Sequence, residues 1–290
     1  MTPLTPESFA LVRNLVAELC GIVLGPDKMY LVKHRLEPVM RDRSITDFAE
    51  FVRVARLSSS LQIREAIIDA ITTHETSFFR DNHPFDALKT FWLPEVAIKA
   101  QQAAKQSGGH KRIRVWSAAC SHGQEPYSIA MMMRDFLDTL SVPSEQMFSV
   151  LATDISSEAL AIARAGKFSQ IDLARGIDPA ALKKHFTGPS ADGTFVVKPA
   201  VRKLVEFTRR NLVSAQAMIS PDTTLGYFDL ILCRNVLIYF DEPTRRRVLK
   251  QLLDALLPGG LLLIGAAESL HTLEPKLHSK RLGNTTVYQK

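Results

Sequence analysis

The run Val115-Trp116-Ser117-Ala118-Ala119-Cys120-Ser121-His122-Gly123-Gln124-Glu125-Pro126-Tyr127-Ser128-Ile129-Ala130 constrains the fold of this chain more than any other segment. A short apolar strand, Ile113 to Trp116, gives way to small residues around a single Gly123 and then to an amphipathic helix. Pro126 sits in the first helical turn, where a missing N–H loses no intrahelical partner. A strand, a tight turn and a helix N-terminus point free backbone N–H groups at one spot, which makes a cradle for a nucleotide-like ligand. The spacing is not G-x-G-x-x-G, and no G-x-x-x-x-G-K-[ST] occurs, so neither the dinucleotide fingerprint nor an ATP phosphate loop is present.

Other segments place this turn in a sheet. Ser149 to Asp154 is a buried strand ending in a carboxylate, with a helix beginning near Ser157. Asp154 lies roughly 30 residues beyond the glycine turn, farther than the ~20 expected of a ribose-binding acid in a dinucleotide fold. Phe228 to Asn235 is a third strand, which runs into Val236 to Phe240, and the turn Pro258-Gly259-Gly260 feeds the apolar run Leu261 to Ile264. Strands alternating with helices predict a mostly parallel sheet with its ligand at the carboxyl ends. Asp154 and Asn235 stand at two such ends. Helix capping is the ordinary role for either alone; the Gly123 turn in the same sheet favours a ligand.

The first third of the chain has a helical pattern. Thr5-Pro6-Glu7 is a start signal, Phe9, Val12, Val16 and Leu19 share a face, and Gly21 and Gly25-Pro26 end the helix. A second helix spans about Asp27 to Arg43, with Pro38 predicting a kink or break. A third begins near Thr46 with Phe48, Phe51, Val52 and Ala55 inward, and a fourth runs from Ser60 to Thr72. Gln101 to His110 is a linker-like stretch. The second helix carries Lys28, Lys33, Arg35, Arg41 and Arg43, diluted by Glu37 and Asp42. Scattered basic residues are the usual solvated face of a helix, but a net charge of +6 also favours an anionic partner. The basic residues are not interleaved with aromatics and no known nucleic-acid module is present.

At 290 residues the chain has room for two modest domains. No apolar run approaches the ~20 residues that cross a bilayer, and the N-terminus lacks a secretory apolar region. Cys20, Cys120 and Cys233 form no C-x-x-C pair, which fits free thiols in a reducing cytoplasm. Cys120 and Cys233 read as small apolar residues, not nucleophiles. His74, His83, His110 and His122 lack metal-ligand spacing, so no metal is expected.

Three strings narrow the family. Trp116-Ser-Ala-Ala-Cys-Ser-His-Gly-Gln-Glu-Pro-Tyr-Ser, Cys233-Arg-Asn-Val-Leu-Ile-Tyr-Phe and Thr73-His-Glu-Thr-Ser-Phe-Phe-Arg80 resemble the chemotaxis receptor methyltransferases, the CheR family. The resemblance covers almost the whole chain, to Thr285-Thr286-Val287-Tyr288. It implies an α/β fold: a class I, Rossmann-like S-adenosylmethionine-dependent methyltransferase domain with a small antiparallel β-subdomain, preceded by an all-α N-terminal domain. On that reading residues 1–82 form the helical domain, 83–110 a linker helix and loop, and 111–290 the methyltransferase domain, with the β-subdomain at about 186–209.

The implied activity is transfer of methyl from S-adenosyl-L-methionine to glutamate side chains of chemoreceptors, leaving S-adenosyl-L-homocysteine. The implied partner is the acidic helical bundle of a chemoreceptor cytoplasmic domain, met by the basic N-terminal helices. Some family members also grip a tethering peptide from the receptor C-terminus with the β-subdomain. The expected location is cytoplasmic, without nucleic acid or membrane insertion.

A glutamate carboxylate is already ionised at pH 7, so attack on a sulfonium methyl needs no strong base. Alignment and exclusion of water carry the catalysis instead. Arg80 and Tyr239 are the expected catalytic residues. The Arg80 fork pairs with a carboxylate, that of the cofactor's methionine part or that of the substrate, and Tyr239 hydrogen-bonds the attacking carboxylate. For the cofactor, the resemblance implies that His74, Thr76 and Arg80 close over it and that Glu125 lies near its amino group. Asp154 accepts from the ribose hydroxyls, Asn211 and Leu212 flank the adenine, and Arg234, Asn235 and Val236 face the methionine moiety. The family often has Asn where this chain has His74. Val236-Leu237 stand where amino-directed methyltransferases have N-P-P-[YF], which argues against an amine substrate. Two other functions remain open on the residues: a class I methyltransferase acting on RNA or another protein, and a non-catalytic signalling scaffold.

Overall fold

The computed structural model describes residues 2–57, 59–107, 112–140, 147–214 and 227–290. Four helices come first: α1 (Pro6–Cys20), α2 (Met29–Arg41), α3 (Phe48–Ala55) and α4 (Leu61–Ile71). Thr5 caps α1 in a reciprocal box with Ser8, with Pro6 in the first turn, and Gly21 ends it in the left-handed region at φ 74°. Asp47 caps α3 by accepting from the Glu50 N–H at 2.9 Å. Pro38 lies inside α2 and the helix continues past it to Arg41, at the loss of the one backbone bond that position 38 would donate to the His34 carbonyl. The four helices close on Val12, Val16, Val32, Leu36, Met40, Phe48, Phe51, Ile67 and Ile71, all nearly solvent-free.

The rest of the chain builds a seven-stranded sheet in the order β6-β2-β1-β7-β8-β10-β9. Its strands are β1 (Ile113–Ala118), β2 (Phe148–Asp154), β6 (Val205–Arg209), β7 (Phe228–Cys233), β8 (Leu256–Ile264), β9 (His278–Leu282) and β10 (Thr285–Gln289). β6, β2, β1, β7 and β8 run parallel, and β10 pairs antiparallel with both β8 and β9. The chain moves outward from β1 through β2 to β6, then returns to place β7 on the other side of β1. That reversal is the switch point at which such sheets open a crevice beyond their carboxyl ends.

Helices cover both faces. α7 (Gln124–Leu140) follows β1, α8 (Ser157–Ala165) follows β2, and α12 (Glu242–Ala255) leads into β8. Residues 83–107, expected as a linker, are instead a structural layer of this domain. α5 (His83–Ala87), a π-helical turn Leu88–Trp92 and α6 (Leu93–Ser107) bury Phe85, Leu88, Trp92, Leu93 and Val96 in the same core as Ile113, Val115, Leu230 and Leu232. Their helical spacing puts all five on one face, so burial against the sheet outweighs the polar residues that suggest a linker. Residues 108–110, the remainder of that stretch, lie outside the described residues.

The small antiparallel sheet also departs from its expected bounds. It pairs β3 (Lys167–Phe168), β5 (Phe195–Val197) and β4 (Phe186–Thr187), in that order. Between β3 and β4 lie α9 (Gln170–Ala174) and α10 (Pro179–His185), and α11 (Pro199–Arg202) follows β5. The subdomain thus begins near 167, not 186. Val205–Arg209 is not part of it, because those residues pair in parallel with Val150–Asp154 and form the edge of the main sheet.

The two domains are joined at Gly21. A Cβ at this position would lie 2.5 Å from Val213 Cγ1, and the backbone is left-handed. Two residues on, the Val23 N–H donates to the Tyr239 carbonyl at 2.9 Å, and Ile22 bridges Phe240. Gly21→Ala is therefore expected to lower stability by about 1–3 kcal/mol, read as a shift of the urea midpoint at unchanged slope.

Candidate active site

The carboxyl ends of β1, β2 and β7 and the loops beyond them border an open cleft. All eleven residues singled out from the sequence line it: His74, Thr76, Arg80, Glu125, Asp154, Asn211, Leu212, Arg234, Asn235, Val236 and Tyr239. Segments more than 100 residues apart meet here because the parallel register aligns Ala118, Thr153 and Cys233 at the same level of the sheet.

Asp154 is buried at the end of β2. Its Oδ2 accepts from the Ser121 N–H at 2.8 Å and its Oδ1 from the Ser156 N–H at 2.9 Å. The carboxylate thereby locks the turn after β1 to the start of α8. Each oxygen keeps a lone pair for a further donor. The locked turn is strained: Ala119 and Ser121 both have positive φ, 60° and 51°, as does Gly123 at 94°. Such conformations persist only where the surroundings over-determine them, and here Asp154 supplies one of the restraints.

Arg234 faces inward. Its side chain is 2% exposed and meets Glu125 Oε2 at 3.1 Å, Asp81 Oδ2 at 2.7 Å and the Arg80 carbonyl at 2.9 Å, with its guanidinium 5.6 Å over the Phe85 ring. Glu125 in turn accepts from Ser117 Oγ at 2.8 Å. Most of the Arg234 donors are thus engaged by protein; Nε has no acceptor among the described residues. Arg80 itself is half-buried and donates to the Glu75 carbonyl at 2.9 Å, which folds the 75–80 segment over the cleft.

The remaining walls come from both domains. Cys20 and Ile22 line the cleft from the helical domain, beside Leu212, Ile155 and Phe240. Asn211 donates from Nδ2 to the Leu19 carbonyl at 2.8 Å, so its amide ties the two domains together at the rim. His74 Nε2 lies 2.9 Å from Thr72 Oγ1, and its carbonyl accepts from Ser121 Oγ at 3.2 Å. Asn235 adopts φ 58°, and its N–H donates to Glu268 Oε2 at 2.9 Å.

Sequence reasoning missed Cys20, Ile22 and Glu268. The first two are ordinary apolar residues of a helix end, and nothing local marks them as cleft-lining. Glu268 follows β8 as a lone acid in Gly265-Ala-Ala-Glu268, and its position just past a strand end is the signal that could have found it.

Titration adds constraints. Burial pushes the Cys20 thiol up to about 11. Burial also holds Cys120 and Cys233 well above the ordinary thiol range, helped by the Asp154 and Glu125 carboxylates at Cys120 and by Glu268 and Glu125 at Cys233. All three thiols are protonated at neutral pH, which removes them as nucleophiles. Burial, and the His74 ring 5.2 Å away, lower the His122 pKa below its usual value.

Carboxylates, an arginine and apolar walls meeting at a switch-point crevice make a donor set suited to S-adenosylmethionine, and the fold with this cleft defines a class I methyltransferase. Comparison with known proteins agrees. The CheR methyltransferase SAM binding domain matches residues 74–285, and the CheR methyltransferase all-alpha domain matches residues 7–72. The chain is 40% identical over 265 residues to chemotaxis protein methyltransferase 1 of Pseudomonas aeruginosa, covering 91% of each chain. It is 36% identical to chemotaxis protein methyltransferase Cher2 of Pseudomonas putida, covering 97% of each. It is 34% identical to the chemotaxis protein methyltransferase of Escherichia coli, covering 98% of this chain and 91% of that one. The chain belongs to the CheR family of S-adenosylmethionine-dependent methyltransferases. Among the described residues no helix is long and apolar enough to cross a membrane.

Two expectations follow. Arg234→Met leaves Glu125 and Asp81 facing each other without their cation, and is expected to cost about 3–5 kcal/mol of stability in denaturant unfolding. For His122, a lowered folded pKa means that the unfolded chain binds more protons below about pH 6.5. The associated stability is present above that pH and is lost as pH falls through the folded value. Unfolding midpoints measured from pH 7.5 to 5.5 are expected to fall less steeply in His122→Gln than in the wild type.

Proposed function

We propose that this protein methylates glutamate side chains of chemoreceptors, forming glutamyl methyl esters, and that the eleven cleft residues perform the transfer. The observation that carries this reading is the convergence of all eleven on one crevice at the sheet's switch point. The bound cofactor would supply an electrophilic methyl on a sulfonium.

The chain's own residues then have separable tasks. Asp154, already accepting two backbone N–H groups, offers its remaining lone pairs to the ribose diol. Leu212, with Ile155 and Ile22, forms the apolar wall against the adenine, and Asn211 fixes that wall to α1. Glu125 holds the amino group of the methionine part, and Arg234 fixes the rotamer of Glu125. Asn235 and Val236 bound the same end. His74 and Thr76 close the segment over the cofactor. Arg80 and Tyr239 both line the cleft, where the guanidinium pairs with a carboxylate and the phenol orients the attacking oxygen. No residue is required as a strong base, because the nucleophile is ionised at neutral pH.

The acidic flank of a receptor bundle would meet the basic residues of α2, Lys33, Arg35 and Arg41, with Arg43 just beyond its end. Cytoplasmic location accords with three free thiols. The small sheet β3-β5-β4 is the place where a receptor's tethering peptide would add a strand.

The test is transfer of labelled methyl from S-adenosylmethionine to a purified receptor signalling domain, followed by mild base. Label on the receptor that is released as methanol is expected. Asp154→Asn is expected to weaken S-adenosylhomocysteine binding about tenfold or more. Intact cofactor binding with no label on the receptor would sink the substrate assignment.

A further inference from the structure

We infer that Glu268 is a positioning residue for methyl transfer, acting through the backbone of the loop that bears Asn235 and Tyr239. The inference rests on the proposed role of those two residues.

β7 and β8 pair in register through Cys233 and Ile264, and both chains leave the ladder immediately afterwards. Backbone N–H groups just past the last pair therefore need new acceptors. Glu268 supplies them. Its Oε2 accepts from the Asn235 N–H at 2.9 Å and the Gly265 N–H at 2.7 Å, and its Oε1 accepts from the Ile238 N–H at 3.3 Å. The acid reaches this spot because its own N–H donates to the Gly265 carbonyl at 3.0 Å, which closes a tight turn after β8. The turn is anchored beyond by buried Leu270, whose N–H donates to the Tyr288 hydroxyl at 3.2 Å.

Space as well as charge is fitted to this contact. A Cβ at Gly265 would lie 2.7 Å from Glu268 Oε2, 2.8 Å from the Asn235 nitrogen and 2.9 Å from Asn235 Nδ2. The carboxylate and the Asn235 loop thus occupy the volume that any side chain at 265 would need. Asn235 is held at φ 58°, a conformation that requires outside support. The bond to Ile238 pins the turn Leu237–Tyr239 one residue before the phenol, while the Tyr239 carbonyl is held from the other side by Val23. One carboxylate thereby fixes both ends of the segment that faces the cleft.

The experiment compares Glu268→Ala and Glu268→Gln, alone and combined with Tyr239→Phe, in receptor methylation kinetics, with S-adenosylhomocysteine affinity and thermal unfolding measured on each. Glu268→Ala is expected to lower kcat about tenfold. Glu268→Gln keeps an acceptor oxygen for the two shorter bonds and is expected to recover most of that loss. On the Tyr239→Phe background, Glu268→Ala is expected to cost less than about threefold, because the group it positions is gone. A purely structural role would leave the two effects multiplicative. Gly265→Ala, which crowds both the carboxylate and the Asn235 loop it holds, is expected to be at least as impaired as Glu268→Ala and serves where that variant does not fold.

Wild-type kinetics in Glu268→Ala, equal impairment of the Gln variant, or an undiminished cost on the Tyr239→Phe background would each overturn the inference. If Tyr239→Phe alone turns over normally, the role given to Tyr239 fails. The inference then stands or falls on S-adenosylhomocysteine affinity, which the displaced Asn235 is expected to lower several-fold in Glu268→Ala.

Discussion

A guanidinium almost wholly removed from water must be surrounded by acceptors or it cannot be there at all. Arg234 meets that demand with three acceptors from two separate parts of the chain: Glu125 at the start of α7, and Asp81 and the Arg80 carbonyl in the segment leaving the helical domain. The requirement runs both ways. Glu125 and Asp81 would repel each other without the cation, and the 80–82 segment, with Asp81 and Asn82 both at positive φ, would lack its anchor. The cleft owes its shape to this contact, since it fixes the strand end, the helix start and the covering segment relative to one another.

The same device recurs along the sheet edge. Asp154 accepts two backbone N–H groups past β2, and Glu268 accepts three past β7 and β8. A parallel sheet necessarily leaves unpaired backbone groups where its strands end, and carboxylates are the strongest acceptors for them. The solution has a functional side effect. It places carboxylates and strained backbone at the carboxyl ends and fixes the loops there before any ligand arrives.

Much of this could be read from the chain. Small residues around Gly123, a strand ending in Asp154 and a strand running into Asn235 are local patterns, and they point to the crevice at the carboxyl ends of the sheet, which the residues implied by the family resemblance also line. The reading faltered where a segment's role depended on partners distant in sequence. Val205–Arg209 looks like one more short strand near a small sheet, and only its register with Val150–Asp154 assigns it to the main one. Residues 83–110 are expected as a linker helix and loop, yet Phe85, Leu88 and Trp92 join the buried core that also holds Val115 and Leu230. Arg234 was expected to face the cofactor because its neighbours in sequence do. Neighbours past a strand end point in different directions, and its side chain turned inward toward two acids that no local pattern connects to it.

The helical domain forms part of the cleft itself. Cys20 and Ile22 wall the cleft, Val23 holds the Tyr239 carbonyl, Asn211 reaches Leu19, and Arg209 pairs with Glu65. Arg35 on α2 donates to the carbonyls of Ile71 and Thr72, the last turn of α4, just before the segment that carries His74 and Thr76. A guanidinium at a helix C-terminus satisfies orphan carbonyls and complements the helix dipole, so α2 is bonded directly to the strand of chain covering the cofactor site. Any displacement of α1–α4 from the sheet would break the Val23 and Asn211 contacts together and open the cleft on the side where Tyr239 stands. The contacts that hold the helical domain against the sheet are thus the same ones that hold the Tyr239 carbonyl and the Asn211 amide at the cleft.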